Sequence, residues 1–592
     1  MTKEIATGYS ERADQFKKEQ AQYTKQLTYT SMLRLVLFLV FAWFLYTTFT
    51  KRFQGYEVMY ALSALFVFLA VVFWAGGLQK KIKFLQQLIL INDNEINVGK
   101  GLSSFLDNGS LFTPAKGFTV DLNIFGNHSL YHLLNRAGSL SGKAQLAKRL
   151  QNPFLQSADI NGYQACVKEL AGKIQFRQTL LAHTVLLQEE EALSGLQSKI
   201  PENDFAILTN RFWSILSFIW PAAGILLIIY CAVKDNYQLL LAFGILGLII
   251  LSGVFKKTSQ LYNHISKRSY LFSQYAICFQ LICNEKFEHP YLLQKQKEIK
   301  DASGAFQRLS KLGGMFDMRM SLFSFIINGL FLFELLCARA YLQWNAKWQQ
   351  KIENWFITMG EIELFNSLAT FHFNHPDFIF PECVDDQLLI RSNAMGHPLM
   401  KEGAAVVNDV SIGEDAALHL ITGSNMSGKS TFLRTLGLNM TLAQIGAPVF
   451  AKTFVFRPVK LLTSFHHIDS LEESTSYFYA ELKCLQEIIT SLAEPEPALV
   501  LLDEVMRGTN SKDKHDGTAL LIKKLLQFPC LGMIATHDTE LGILANDHPG
   551  SVDNFCFESE LSDQGLTFDF TMRKGVAQTK NATYLMQQMG II

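Results

Sequence analysis

The chain has 592 residues, more than a single compact core accommodates, so two to four domains are expected. Hydrophobic residues make up 49% and charged residues only 18%, with a mean hydropathy of +0.14, which raises the membrane class before any segment is read. Lysine plus arginine and aspartate plus glutamate each number 53, so bulk charge gives no support for a dedicated nucleic-acid module, although one basic face could sit within a neutral total.

Residues 1–30 are polar and lack the apolar core and small-residue cleavage site of a secretory signal; they read as a cytoplasmic segment. A hairpin of two apolar runs follows over 31–78, Leu35 to Phe49 and Val58 to Leu78. A second occupies 212–255, Phe212 to Val233 and Tyr237 to Phe255, joined by Lys234-Asp235-Asn236. A spanning helix needs about 20 mostly apolar residues, and these runs are apolar on every face rather than striped. Four transmembrane helices are predicted, with Trp43, Tyr46, Trp74, Trp213, Trp220 and Tyr237 in or near their ends. Lys17, Lys18, Lys25 and Arg34, then Lys80, Lys81 and Lys83, then Arg211, Lys256 and Lys257 flank one side; Lys51, Arg52 and Lys234 flank the other. Both termini and the segment 79–211 are therefore expected in the cytoplasm, giving a multi-pass protein of the cytoplasmic membrane.

Segments 79–211 and 256–397 read as an all-α core in two parts. Within the second part, Ser321 to Tyr341 is a fifth apolar candidate but carries Glu334 and Arg339, which lipid would penalise, so it reads as one long buried helix of the cytoplasmic body, with membrane contact as the alternative. Over 398–592 short β-rich runs alternate with helices, the α/β pattern. The nine cysteines form no CxxC pair and read as small buried apolar residues; no structural zinc or disulfide framework is expected.

The α/β part carries the chemistry. Gly423-Ser424-Asn425-Met426-Ser427-Gly428-Lys429-Ser430 fits G-x-x-x-x-G-K-[ST], the loop whose backbone N–H groups face phosphate oxygens. Lys429 would reach the β- and γ-phosphates of ATP, and the Ser430 hydroxyl would ligate Mg²⁺. Leu418-His419-Leu420-Ile421 is a buried strand before the loop, and a helix runs from Thr431, its dipole adding to anion binding. A second buried strand, Ala498 to Leu502, ends in Asp503-Glu504. Asp503 is assigned to the metal and Glu504 to the attacking water. A third, Leu531 to Ala535, ends in Thr536-His537, where a histidine can bond the γ-phosphate or the water.

Taken together these elements resemble the MutS family of ATPases, relatives of the ABC class. GSNMSGKSTFLRT at 423–435, LLDEVMRGTNS at 501–511 and ATHDTEL at 535–541 carry the likeness. Ser476-Tyr477-Phe478-Tyr479-Ala480-Glu481-Leu482 is similar to the family's signature segment. That resemblance implies that Ser476 reaches ATP bound by a partner, hence a homodimer through the ATPase domains, and it implies DNA as a further partner. Residues 122–154 resemble the start of the family's helical core, and 328–341 its long returning helix. The sequence departs from the pattern in four places. No soluble mismatch-reading domain precedes the core, the hairpin 212–255 interrupts the helical core where no DNA-clamp insert is evident, Ala405 stands where the family often has an aromatic that stacks on adenine, and the loop Asn510 to Gly517 is longer. The expected whole is an α/β P-loop ATPase domain of MutS type, ABC-like, after an all-α helical core with four transmembrane helices in two hairpins.

Overall fold

A computed structural model describes all residues except 51–54, 188–204, 235, 266–267, 322, 401–402, 404, 466–476, 508, 563–564 and 579–592. The chain divides into two compact units. One comprises Met1–Arg136, Lys143–Ile174 and Leu364–Ile592, the other Ala137–Gly142 and Gln175–Glu363.

The first unit begins with two long helices, Lys3–Thr50 and Gly55–Gly99. At 1.5 Å per residue each runs roughly 70 Å, far beyond one apolar window. The polar segment 1–30 is thus helical almost from its start, and the second helix continues past Leu78 because Leu85, Leu88 and Ile91 keep a buried stripe. Phe38 meets Phe68 at 6.3 Å between ring centroids and Phe44 meets Tyr60 at 5.5 Å. Only 6% and 17% of the two apolar windows is buried, leaving Trp43, Phe66 and Phe73 exposed.

Where the second helix nears its end, Glu95 meets Arg136, and both side chains are almost fully buried. Arg136 donates from Nε at 2.5 Å and from Nη2 at 3.0 Å, one bond to each carboxylate oxygen. Asn374 Nδ2 adds a bond to Glu95 at 2.7 Å, and the Tyr9 hydroxyl donates to Asn374 Oδ1 at 2.8 Å. A buried charge pair is tolerated only when its remaining lone pairs are satisfied in this way.

The rest of this unit is built on two sheets. Among the described residues there are ten strands: β1 Glu382–Cys383, β2 Ile390–Met395, β3 Asn408–Ile412, β4 Leu418–Gly423, β5 Thr453–Phe456, β6 Lys460–Ser464, β7 Ala498–Asp503, β8 Cys530–Thr536, β9 Val552–Ser562 and β10 Gly565–Lys574. The smaller sheet has the order β1-β5-β2-β3 and the larger β10-β9-β4-β8-β7-β6. In the larger sheet β9, β4, β8, β7 and β6 are parallel, with β10 antiparallel at the edge. Every residue of β4, β7 and β8 is buried, as continuous apolar runs require of central strands covered on both faces. The helix Lys429–Gln444 packs against residues upstream in sequence: a Cβ on Gly437 would lie 2.7 Å from Leu122, and Arg434 Nε donates to Asp121 O at 3.1 Å. Gln444 Nε2 donates to Phe154 O at 2.9 Å.

The second unit is helical. Its core is aromatic: Tyr275, Phe279, Phe306, Trp355 and Phe356 pack together, and the indoles of Trp344 and Trp355 donate to Ala305 O and Glu298 O. It holds the apolar helices Arg211–Lys234 and Gln238–Ser252. Three described helices, the two at the N-terminus and Arg211–Lys234, are long and apolar enough to cross a membrane. The fourth expected span is shorter: Gln238–Ser252 has 15 residues and bends by 75° into Phe255–Ile265. Gly253 caps the helix, and the next one carries Lys256 and Lys257 in its first turn. The single helix expected over 321–341 is also two: Ser324–Phe331, then Phe333–Asn374 after a 76° bend at Leu332, whose φ is +47°.

Removing one member of the buried pair in the first unit strands the other. Glu95→Ala is expected to cost about 3–5 kcal/mol, seen as an earlier midpoint in a denaturant titration of the solubilised protein. The double variant Glu95→Leu with Arg136→Met should recover most of that loss.

Candidate functional site

The loop between β4 and the helix Lys429–Gln444 is shaped by backbone constraint. Gly428 has φ +105°, and Gly423 has φ +155° with room for no side chain: a Cβ there would lie 2.7 Å from Phe557 O and 2.8 Å from Ser427 Oγ. Met426, also at positive φ (+66°), turns its side chain outward, as Asn425 does. Ser424 is half-buried, Ser430 and Thr431 open the helix, and Ser427 is buried with its Oγ lacking a hydrogen-bond partner. An orphaned hydroxyl inside a glycine loop at a helix N-terminus is the polar group a phosphate oxygen would satisfy.

Lys429 Nζ donates to Gly423 O and Ser424 O, both at 2.8 Å, and lies 3.5 Å from His537 Nδ1. Burial lowers its pKa to about 8, with Arg507 lowering it further and Asp503 opposing both. The ammonium therefore rests on its own loop in a site that disfavours an uncompensated cation.

The two other strand ends meet it. β4, β8 and β7 are adjacent and parallel, so the residues after them emerge on one edge of the sheet. Asp503, last in β7, is buried, and its Oδ2 has no hydrogen-bond partner. Arg507 Nη2 stands 3.9 Å from that oxygen. Glu504 follows at φ +53°, a strained conformation for a side-chain-bearing residue. Its Oε1 is paired with His537 Nε2, and Arg507 Nε approaches its Oε2 at 2.8 Å, an ion pair without hydrogen-bond alignment. Burial, then Lys429, lower the His537 pKa. With its proton on Nε2, it donates to Glu504.

The structure thus brings together Lys429, Asp503, Glu504 and His537, as the three motifs predict. Ser476 lies outside the described residues. Three further residues were not assigned a role from sequence. Arg507 holds both acidic residues. Glu481, buried on the helix Tyr477–Leu492, accepts from Met506 N at 2.6 Å and so fixes the loop after Glu504 from the signature segment. Phe570 is the third. Its ring comes within 3.0 Å of where a Gly428 Cβ would be, and it remains 42% exposed. It sits where the β9–β10 register shifts between Phe568 and Met572, at φ +54°, and Asn408 clamps it by donating to Phe570 O (3.0 Å) and accepting from Met572 N (2.8 Å). The signal in sequence was partial: Asn408 lies in the stretch that lacks an aromatic at Ala405, but its partner is 162 residues away.

The donor set fits Mg²⁺. Asp503 offers an unpartnered carboxylate oxygen, and Ser430 offers a hydroxyl on the first turn of the helix after the loop.

Comparison with known proteins agrees with this geometry. Residues 419–590 match the family profile described as MutS domain V. Human "MutS protein homolog 4" is 30% identical over 215 residues, 35% of this chain and 22% of that protein. "DNA mismatch repair protein MSH3" of Arabidopsis thaliana is 32% identical over 213 residues, 33% and 19% of the two chains. "DNA mismatch repair protein MutS" of Thermotoga sp. (strain RQ2) is 30% identical over 239 residues, 39% and 29%. The chain spans between a fifth and three-tenths of the length of these relatives. Over its last third, then, this chain is similar to domain V of the MutS family.

Proposed function

We propose that this protein is a membrane-anchored, MutS-like ATPase that hydrolyses ATP to drive a conformational change. One observation carries the reading: Lys429, Asp503, Glu504 and His537 converge at adjacent parallel strand ends beside a glycine loop with an orphaned buried hydroxyl.

On nucleotide binding, Lys429 would exchange its two loop carbonyls for β- and γ-phosphate oxygens, and the loop amides with Ser427 would cradle the rest. Ser430 and Asp503 would hold Mg²⁺, which supplies charge neutralisation across those oxygens. Glu504 takes the proton of the attacking water while the water oxygen bonds to the γ-phosphorus and the bridging oxygen leaves with ADP. His537 keeps Glu504 and the water in place. Arg507 must release Glu504 before the carboxylate can act, so the arrangement seen is a resting one. Phe570 replaces the aromatic absent at Ala405 as the platform for the base. The two copies of a homodimer would share sites through Ser476.

Membrane anchorage is supported by three long apolar helices whose windows are left largely exposed. What hydrolysis drives has two readings. The relatives are named for DNA mismatch repair, which favours duplex DNA as the partner. The exposed apolar helices favour a membrane-tethered switch acting on a protein or lipid partner. A gel shift at several salt concentrations, with and without a mismatch, separates them: salt-sensitive retention supports the first, none supports the second.

Three outcomes are expected. Lys429→Ala should abolish nucleotide binding and turnover, while Glu504→Gln should still bind ATP and lose about 10²–10⁴-fold in turnover. Unchanged turnover in either variant refutes its assigned role. Because the Lys429 pKa is lowered to about 8, the ammonium is charged below that pH and lost above it. ATP affinity, measured by titration at pH 7 and pH 9, should weaken by about tenfold at the higher pH. Finally, the full chain should stay with membranes through an alkaline carbonate wash and be released by detergent; release by carbonate contradicts anchorage.

A further inference from the structure

The short helix Ser324–Phe331 is packed more tightly than side chains allow. A Cβ on Gly247 would lie 2.0 Å from Gly329 O, one on Gly329 would lie 2.6 Å from Gly244 O, and one on Gly224 would lie 2.5 Å from Leu330 O. Four glycines, two of them on Gln238–Ser252 and one on Arg211–Lys234, therefore bring three backbones into direct contact. Such small-residue packing associates helices where no hydrophobic drive exists between them, as in lipid.

The end of the short helix is capped from within. The Trp220 indole donates to Gly329 O at 3.0 Å while its ring stacks on Phe243 at 4.2 Å. Leu332 N donates to Asn328 O at 2.9 Å, and Asn328 Oδ1 accepts from Glu334 N at 2.9 Å, bridging the break into the next helix. Where water can reach a helix end, its carbonyls need no tryptophan; in hydrocarbon each must be satisfied by protein.

Charge is sorted along this group. No Asp, Glu, Lys or Arg occurs in 212–233, 237–255 or 320–333. Arg319 before the short helix and Glu334 and Arg339 after it flank the uncharged stretch, and each has a polar partner. Arg319 lies 3.3 Å from Glu334 and over the rings of Phe255 and Tyr262. Thr258 donates to Glu334 at 2.6 Å, and Arg339 donates to Ser217, Ser214 and Trp213 O. The outward side is apolar: Phe323, Phe325 and Ile326 are exposed, as are Leu241, Ile245 and Ile249 of Gln238–Ser252. A cytosolic protein partner would be met by a polar rim around an apolar centre; an uncharged stretch with ionisable residues confined to its flanks matches a bilayer.

We propose that Ser324–Phe331 is a half-helix inserted in the membrane beside Arg211–Lys234 and Gln238–Ser252, its outward face covered by lipid acyl chains. Together with the helix that follows it after the 76° bend, it is apolar enough to enter a membrane. The proposal rests on the membrane anchorage proposed above.

The test uses the native full-length chain in vesicles, with the photoreactive residue benzoylphenylalanine placed at Phe325 or, as reference, at the exposed Phe218 of Arg211–Lys234. Irradiation should give a lipid adduct at 325 as abundant as that at 218, read by mass spectrometry. A lipid adduct at 218 with none at 325 overturns the half-helix and leaves the anchorage standing. Adducts at 325 to another polypeptide identify a protein partner and overturn it too. No lipid adduct at either position removes the anchorage and the half-helix together.

Discussion

A buried ammonium held by two backbone carbonyls of its own loop is the constraint on which the rest of the site depends. Lys429 is held by Gly423 O and Ser424 O, and burial has already lowered its pKa to about 8. Carbonyl dipoles hold the cation less well than a polyphosphate would, so the site favours an anion in the loop. The carboxylates show the complementary tension. Glu504 is occupied by His537 and Arg507, while Asp503 keeps an oxygen without a donor.

The fold exists to make these groups meet. Three fully buried strands must lie side by side in parallel, since only then do the glycine loop, the acidic pair and the histidine leave the sheet at one edge. Parallel neighbours require long crossovers. One of these carries the helix Tyr477–Leu492, from which Glu481 reaches back to Met506 N and fixes the strained turn that contains Glu504. The upstream residues Asp121, Leu122 and Phe154 pack on the helix after the loop, so movement of that helix is felt outside the sheet.

Much of this was legible in the sequence because it is local. Ala498 to Leu502 followed by Asp503-Glu504 is a strand and its functional end within seven residues, and the glycine loop is contiguous. Arg507, Glu481 and Phe570 escaped because their roles depend on contacts made at a distance or on a backbone conformation. Phe570 in particular is aimed by a register shift and by Asn408, neither of which has a periodic signal. The apolar helices were visible by composition, but their ends were not. Apolar composition extends the fourth span to Phe255, whereas the helix stops at Ser252, and the break falls at Leu332, a leucine at φ +47°. That break depends on the glycine contacts and the Trp220 bond, which are tertiary.

The most direct test of the account is a structure of the full chain with Mg²⁺ and a non-hydrolysable ATP analogue. The account predicts the triphosphate inside the 423–430 loop, with Lys429 Nζ moved from the two loop carbonyls to the β- and γ-oxygens and Asp503 beside the metal. An empty loop at saturating analogue, with Lys429 still on Gly423 O and Ser424 O, would contradict it.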